Sequence, residues 1–330
     1  MLAFEDFAKQ SAHVMQLRSD FAAHAFVHAY LLCGPRGTGK KSVARLCAMA
    51  AVCRCEEVSG RPCGVCGPCR RVLSDTHPDL HTIVPEKGKK SIGVDVVRDT
   101  IVQVGVKSFE AGTKAMIIPQ AELMTPQAQN CLLKTLEEPP EDTVFFLITE
   151  QPGSLLPTIV SRCRVIRFHP LSAQDCEKRL IALGQSAQAA RQKARMAEGC
   201  VGQALDIDDE RLELMRSVTQ AAFSVRRPAD VLPAVNQYKD DKERHKQIMD
   251  LLESAVRDIT LAQAGAGTLD ESGYAPQAEA YARSVPLSGG LALAQAIAKA
   301  RMMMGSNVAF ASAFETILLK ISEEYAQWPW

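Results

Sequence analysis

The sequence predicts an α/β fold with a parallel sheet covered on both faces, followed by a region that is helical throughout. Over the first half of the chain, near-continuous apolar runs alternate with helical patterns, and such runs are typical of strands buried on both faces of a parallel sheet. A glycine-rich loop links the first of these apolar runs to a helix. After Pro170 only helical patterns follow.

Length and composition limit the kind of protein. With 330 residues, of which 47% are apolar and 23% charged, the chain is an ordinary globular protein of about two or three domains. Its 38 basic and 38 acidic residues cancel, whereas a protein that neutralises many phosphates by itself is normally basic. We therefore expect any contact with DNA to be local or to be delivered by partners.

The first twenty residues carry Glu5, Asp6, Lys9 and Arg18 among short apolar stretches, which excludes the apolar core of an export signal. No stretch of the sequence is long and apolar enough to cross a bilayer. We expect a cytoplasmic protein without a membrane partner, in a compartment where thiols stay reduced. The eleven cysteines therefore need an explanation other than disulfides.

Periodicity places the individual elements. Strands are predicted at 28–34, 79–86, 114–120, 144–149 and 163–168, and helices between them at 40–52, 94–104 and 125–138. In the C-terminal half, helices are predicted at 209–225, 229–264, 276–284 and 289–325, with a glycine-rich break at 264–276. The run of mixed charges at 239–246 is predicted to be a solvated helix face.

The glycine-rich loop has the spacing of a phosphate-binding loop. Gly34, Gly37, Thr38, Gly39 and Lys40 lie between a predicted strand and a predicted helix, which is the context that such a loop requires. Its glycines let backbone N–H groups converge on phosphate oxygens, and the helix N-terminus favours negative charge. The pattern predicts an ATP site; the alternative is a tight turn that keeps this shape without a ligand.

The groups that catalyse ATP hydrolysis at such a site are missing. Lys41 follows Lys40 where a Ser or Thr should hold Mg²⁺, and Ser42 comes one position late. The strand that should end in Asp-Glu ends in Pro119 and Gln120, which carry no charge, and we expect Glu122 to face elsewhere. Because phosphoryl transfer depends on positioning and charge neutralisation, the sequence predicts no turnover of ATP and at most weak binding.

A cysteine cluster predicts a structural zinc site. The pattern C-x7-C-x2-C-x2-C lets four thiolates converge on one tetrahedral ion, with no position left for a substrate. Cys53 competes for the first position, His77 is a weaker substitute, and unliganded thiols are the alternative to a metal site. The predicted zinc ligands are Cys55, Cys63, Cys66 and Cys69.

Several strings resemble one family. Residues 130–140 (NCLLKTLEEPP), 143–149 (TVFFLIT) and 158–163 (TIVSRC), with the opening 28–32 (HAYLL), are similar to the bacterial DNA polymerase III clamp-loader ATPases. The resemblance covers roughly residues 25–205. It implies an AAA+ P-loop domain at 1–170 with a zinc module at about 53–70, a helical lid at 171–207 and a helical collar for oligomerisation at 208–330.

The resemblance also implies roles for particular residues. In the family, the central residue of the motif Ser161-Arg162-Cys163 is an arginine finger, so Arg162 would reach a nucleotide bound by the neighbouring subunit. The alternative is an arginine that only pairs with a carboxylate on its own surface. Gln203 stands where the motor subunits of the family have an arginine for their own nucleotide. The family's spacing favours Cys55 as the first zinc ligand.

The resemblance therefore implies a non-motor subunit of the delta-prime type, without ATPase activity of its own. Such a subunit assembles with gamma/tau and delta subunits and helps load the beta clamp onto primed DNA. One alternative is a gamma/tau-like motor subunit that hydrolyses ATP. Another is a zinc-dependent DNA-binding protein that acts without partners, for which the candidate contacts are Arg61, Arg70, Arg71 and the lysines of loop 87–90.

Overall fold

The structure is a computed structural model that describes residues 2–105, 108, 112–266, 269, 273–306 and 308–328. Residues 267–268 and 270–272, which belong to the predicted glycine-rich break, lie outside these ranges. The chain forms two compact units, one of Met1–Ser172 with Gly199–Gln203 and one of Ala173–Glu198 with Ala204–Trp330. The predicted lid at 171–207 is divided between these two units. The predicted boundary between the lid and the collar at 208 therefore stays a prediction.

The first unit is built on a five-stranded sheet in the order β2-β3-β4-β1-β5. All neighbouring strands are parallel, which confirms the predicted α/β class. The strands are β1 (Ala29–Cys33), β2 (Leu80–Thr82), β3 (Lys114–Ile118), β4 (Thr143–Thr149) and β5 (Arg164–Arg167).

Helices cover both faces of this sheet. They are α1 (Val14–Ala22), α2 (Lys40–Val52), α3 (Gly67–Leu73), α4 (Val94–Gly105), α5 (Pro126–Glu137) and α6 (Pro157–Val160). Successive strand residues point to opposite faces, so Tyr30 and Phe146 join one apolar core while Leu31 and Phe145 join the other. Burial on both faces explains why the strands read as near-continuous apolar runs.

Local signals set the ends of α5. The hydroxyl of Thr125 accepts a hydrogen bond from the backbone N–H of Ala128 at 3.2 Å, and Pro126 occupies the first helical position. Both are typical of a helix start. The helix ends at Glu137, shortly before Pro139 and Pro140, because the residue before a proline disfavours helical geometry.

The remaining described residues form no strand, and the helices from residue 209 onward pack around one apolar core that includes Phe223, Ile259, Tyr281 and Phe314. The helices are α7 (Ala173–Ala182), α8 (Ala187–Met196), α9 (Val201–Leu205), α10 (Asp209–Phe223), α11 (Val231–Asn236), α12 (His245–Gln263), α13 (Pro276–Ser284), α14 (Leu287–Gly305) and α15 (Phe310–Gln327). No helix within the described ranges combines the length and the apolarity needed to cross a membrane.

Two long helices predicted from the sequence are each broken. The predicted helix at 229–264 is interrupted because residues 237–244 form no helix. The prediction of a helix at 239–246 is therefore wrong up to Arg244, whereas most of these residues are exposed, as predicted. There the imidazole Nε2 of His245 lies 3.1 Å from the carbonyl oxygens of Tyr238 and Lys239. The same ring stacks on Phe310 with centroids 3.9 Å apart. This side chain therefore satisfies carbonyl groups that a continuous helix would have paired.

The predicted helix at 289–325 is likewise two helices, α14 and α15. The backbone N–H of Ser306 bonds to the carbonyl groups of Met302 and Met303, and that of Val308 also bonds to Met303. These bonds end α14 before α15 starts at Phe310.

Candidate functional site

The predicted phosphate loop lies between the end of β1 and the start of α2. Three of its residues have left-handed backbone angles, with φ of +143° at Gly34, +79° at Gly37 and +85° at Gly39. Glycine adopts these angles without steric cost, which explains why this turn needs three of them. The predicted strand, loop and helix are thus in the arrangement that a phosphate-binding loop requires.

Lys40 is folded back onto this loop. Its side-chain Nζ donates hydrogen bonds to the carbonyl oxygens of Gly34 and Pro35, both at 2.6 Å. Burial lowers the pKa of Lys40, and Glu150 and Glu122 oppose that effect. Two of the three N–H donors of this ammonium group are therefore already used by the loop's own carbonyl oxygens.

The segment Gly199–Gln203, which follows α8, closes the loop on one side. The backbone N–H of Gly202 donates to the carbonyl of Gly37 at 2.9 Å, and the amide Nε2 of Gln203 donates to the carbonyl of Arg36 at 2.8 Å. A Cβ atom added to Gly37 would lie 2.6 Å from the backbone nitrogen of Gln203. Where an arginine could have reached a nucleotide, Gln203 instead ties this segment to the loop. The sequence did not predict this contact.

An aromatic ring closes the loop on another side. A Cβ atom added to Gly39 would lie 2.4 Å from two ring carbons of Phe7. Phe7 is itself buried in the core beneath the loop. The chain's own segments therefore pack against both Gly37 and Gly39.

The end of β3, which β4 separates from β1 in the sheet, lacks the two acids that such a site requires. Pro119 and Gln120 follow directly after β3. Glu122 lies in a short turn beyond them, where its carboxylate Oε2 is buried and has no hydrogen-bond partner within the described residues. Its charge adds to that of Glu150 in opposing the lowered pKa of Lys40, and the expectation that Glu122 faces elsewhere stays a prediction.

The motif Ser161-Arg162-Cys163 forms the turn between α6 and β5. The guanidinium of Arg162 pairs with the carboxylate of Glu137 (Nη2 to Oε1, 2.7 Å), and its Nη1 donates to the carbonyl of Thr158 at 3.0 Å. The hydroxyl of Ser161 donates to the same carbonyl at 3.0 Å. Burial raises the pKa of Cys163 to about 12. Arg162 thus pairs with a carboxylate on its own surface, yet 36% of its side chain remains exposed.

Four cysteines converge at the far end of α2. The sulfur atoms of Cys53, Cys63, Cys66 and Cys69 all lie within 4.8 Å of one another. Cys55 is not in this group, so the preference for Cys55 over Cys53 is corrected.

The backbone explains this choice. Cys53 directly follows the last residue of α2, and the N–H groups of Cys55 and Cys63 both point at its sulfur, at 3.5 and 3.4 Å. The Cys55 sulfur lies instead beside Gly60. His77 also lies outside the group, and its Nδ1 accepts from the N–H of Asp79 at 3.2 Å.

The chemistry of these four donors fits a structural metal ion. The backbone N–H groups of Cys66 and Val65 lower the pKa of Cys63 to about 6, while burial raises the pKa of both Cys53 and Cys69. Metal ions bind thiolates, and N–H groups that point at sulfur stabilise the thiolate form. Four thiolates around one point satisfy the tetrahedral preference of Zn²⁺ and leave no position for a substrate.

Arginines fasten the segment around the cysteines to the rest of the unit. Arg61 donates from Nε to the carbonyl of Cys55 at 2.9 Å and from Nη1 to the carbonyl of Ala22 at 3.2 Å. Arg18 donates to the carbonyl of Ser59 at 2.9 Å. Arg61 therefore serves the fold, although the sequence offered it as a possible DNA contact. In loop 87–90, Lys89 pairs with Glu86.

Sheet order, the glycine-rich loop and the flanking helices define the class as an AAA+ P-loop domain. The family described as DNA polymerase III, delta subunit, matches residues 9–172. Over this segment the chain is similar to that family and to the delta' subunits of DNA polymerase III from several bacteria.

Two individual relatives illustrate this similarity. The chain is 40% identical to the DNA polymerase III subunit delta' of Bacillus subtilis over 181 residues, which is 54% of this chain and 53% of the relative. Against the subunit tau of the same organism it is 35% identical over 171 residues, or 52% of this chain and 30% of the relative. The match thus spans about half the length of the delta-prime relative.

Among solved structures, a gamma subunit-related protein of Thermotoga maritima superposes with a TM-score of 0.43 at 16% identity. The superposition covers 94% of this chain and 99% of that one.

Proposed function

We propose that this chain is a non-motor subunit of a DNA polymerase III clamp loader. It assembles with gamma/tau and delta subunits and helps load the beta clamp onto primed DNA. It hydrolyses no ATP itself and offers Arg162 to the ATP site of a neighbouring subunit. The observation that carries this proposal is the phosphate loop, which the chain's own Gly202 and Gln203 close, together with Pro119 and Gln120 in place of the acids after β3.

The loop argues against turnover in two ways. Two of the three N–H donors of Lys40 already bond to loop carbonyl oxygens, so a triphosphate gains only the third unless it displaces one of these bonds. Even a bound triphosphate would meet Lys41, Pro119 and Gln120 where the reaction needs metal ligands and a group that orients water. ATP binding is therefore weak or absent, and ATP that does bind is not hydrolysed.

Arg162, in contrast, has the chemistry to act on a nucleotide bound by a neighbouring subunit. A guanidinium is always charged and presents donors in a planar fork that matches phosphate oxygens. Arg162 keeps part of this fork exposed on a turn, between α6 and the edge strand β5. An arginine supplied in this way stabilises the charge that develops on the transferred phosphoryl group, and it is worth about 10³ to 10⁵ in rate at the site it serves.

The test uses the assembled complex. Arg162→Ala chains are mixed with gamma/tau and delta subunits, beta clamp and primed DNA, and ATP hydrolysis is measured. We expect the DNA-stimulated rate of ATP hydrolysis to fall by the amount that the site served by Arg162 contributes to the total. The control Arg164→Ala, which removes a neighbouring arginine paired with Asp20, should leave the rate unchanged. An unaltered rate with Arg162→Ala, in a complex that still assembles, would refute the proposal.

We also propose that Cys53, Cys63, Cys66 and Cys69 hold a structural Zn²⁺. When bound, the ion cross-links the end of α2 to α3 and to the loop between them. Ligands brought together in this way contribute metal-binding energy directly to folding.

A further inference from the structure

We infer that Glu137 is the positioning residue for Arg162: its carboxylate holds the guanidinium on the α6–β5 turn, with the remaining N–H groups turned outward. The inference rests on the proposed function, because it concerns the same arginine. It adds a residue that touches neither nucleotide nor metal and acts only through Arg162.

Two packed helices bring the pair together. Glu137 is the last residue of α5, and Arg162 lies two residues beyond the end of α6. Leu132 and Leu136 of α5 share an apolar core with Ile159 of α6. The carboxylate therefore reaches the turn from a rigid support.

The hydrogen bonds leave part of the fork free to act. A guanidinium has five N–H donors. One Nη nitrogen faces Glu137 at 2.7 Å and the other donates to the carbonyl of Thr158 at 3.0 Å. These two contacts fix the plane of the group and leave further N–H donors for an oxyanion. A long side chain that is already ordered loses less conformational freedom when it meets its target.

The adjacent residue supplies a matched control. Glu138 is also exposed and carries the same charge, but it follows α5 as its C-cap residue, and no ion pair joins it to Arg162. Glu138→Ala removes one negative charge from this surface without removing the anchor. A general electrostatic effect of lost charge would alter both variants equally.

The expected effect is modest, because the pair is half exposed and water screens such pairs. In the reconstituted complex, Glu137→Ala should lower the kcat of DNA-stimulated ATP hydrolysis about two- to five-fold and leave the KM for ATP unchanged. Glu137→Gln keeps an oxygen acceptor and should lose less. Glu138→Ala should behave like the unmodified chain.

A double substitution separates positioning from a structural role. If Glu137 acts only through Arg162, then Glu137→Ala has no further effect in a chain that already carries Arg162→Ala. Gel filtration of each complex confirms equal assembly. An unchanged kcat in Glu137→Ala, or losses of kcat that multiply in the double variant, would overturn the inference. If Arg162→Ala still lowers the kcat in that case, the proposed function is unaffected. No loss in Arg162→Ala would overturn the proposed function itself.

Discussion

The backbone N–H of Gly202 donates to the carbonyl oxygen of Gly37 at 2.9 Å, which joins the start of α9 to the phosphate loop. A Cβ atom on Gly202 would lie 2.8 Å from the Cα of Gly37, so both glycines are needed for this approach. This face of the loop is therefore packed and hydrogen-bonded to the chain's own segment.

The first prediction tests this contact by stability. Gly37 and Gly88 both have left-handed φ, +79° and +85°, but a Cβ on Gly88 would meet nothing within 4 Å. Gly88→Ala should cost about 1 kcal/mol of unfolding free energy for its backbone angle alone. Gly37→Ala should cost about 1 to 3 kcal/mol more, because its methyl group overpacks the contact with Gln203. Urea unfolding of both variants measures the difference, and equal losses would show that the contact is not made.

The second prediction concerns the corrected zinc ligand. Cys53→Ser removes one of the four converging thiols, whereas Cys55→Ser removes a thiol outside the group. We expect the purified unmodified chain to carry about one zinc ion per chain, and Cys53→Ser to lose it together with much of the stability that it provides. Cys55→Ser should retain it. Elemental analysis after exhaustive dialysis provides the count, and the opposite pattern would restore Cys55 as the ligand.

The third prediction concerns alkaline unfolding. Burial raises the pKa of Tyr325 from 10.0 to about 12, against an opposing effect of Arg226, whose guanidinium lies 3.5 Å above the ring. A tyrosine whose pKa is raised by folding stabilises the fold fully below its unfolded pKa. This contribution is lost as the pH rises through the folded value.

The stability advantage of the unmodified chain over Tyr325→Phe should therefore shrink by up to about 3 kcal/mol between pH 9 and pH 12. The phenylalanine variant lacks the hydroxyl that titrates, and it also loses the 3.3 Å hydrogen bond to the carbonyl of Phe223 at every pH. Urea unfolding of both chains across this range gives the difference. A difference that does not vary with pH would contradict the assigned burial.

Much of the first unit could be predicted because its signals are local. β1, β3 and β4 are buried along their whole length. Helices α2 and α5 start at a glycine turn and at a Thr-Pro pair, so these elements were visible in consecutive residues. The break between α11 and α12 was not visible in this way. It depends on His245, whose ring meets Phe310 from a helix sixty-five residues further along the chain.

The site shows the same division. Spacing alone found the four-cysteine pattern, but it could not choose between Cys53 and Cys55, because that depends on which sulfur the N–H of Cys63 meets. Likewise the motif around Arg162 could be identified from its letters. Its pairing with Glu137 needed the packing of α5 against α6, and the closure of the loop by Phe7 and Gln203 joins residues far apart in sequence.

The central claim is that this chain carries a phosphate loop but does not hydrolyse ATP with it. The most direct measurement is magnesium-dependent ATP hydrolysis by the purified chain alone, beside Lys40→Ala prepared in the same way. We predict that the two preparations give the same background rate, with no turnover that depends on Lys40. Hydrolysis at the rate of a motor subunit, abolished by Lys40→Ala, would contradict the account.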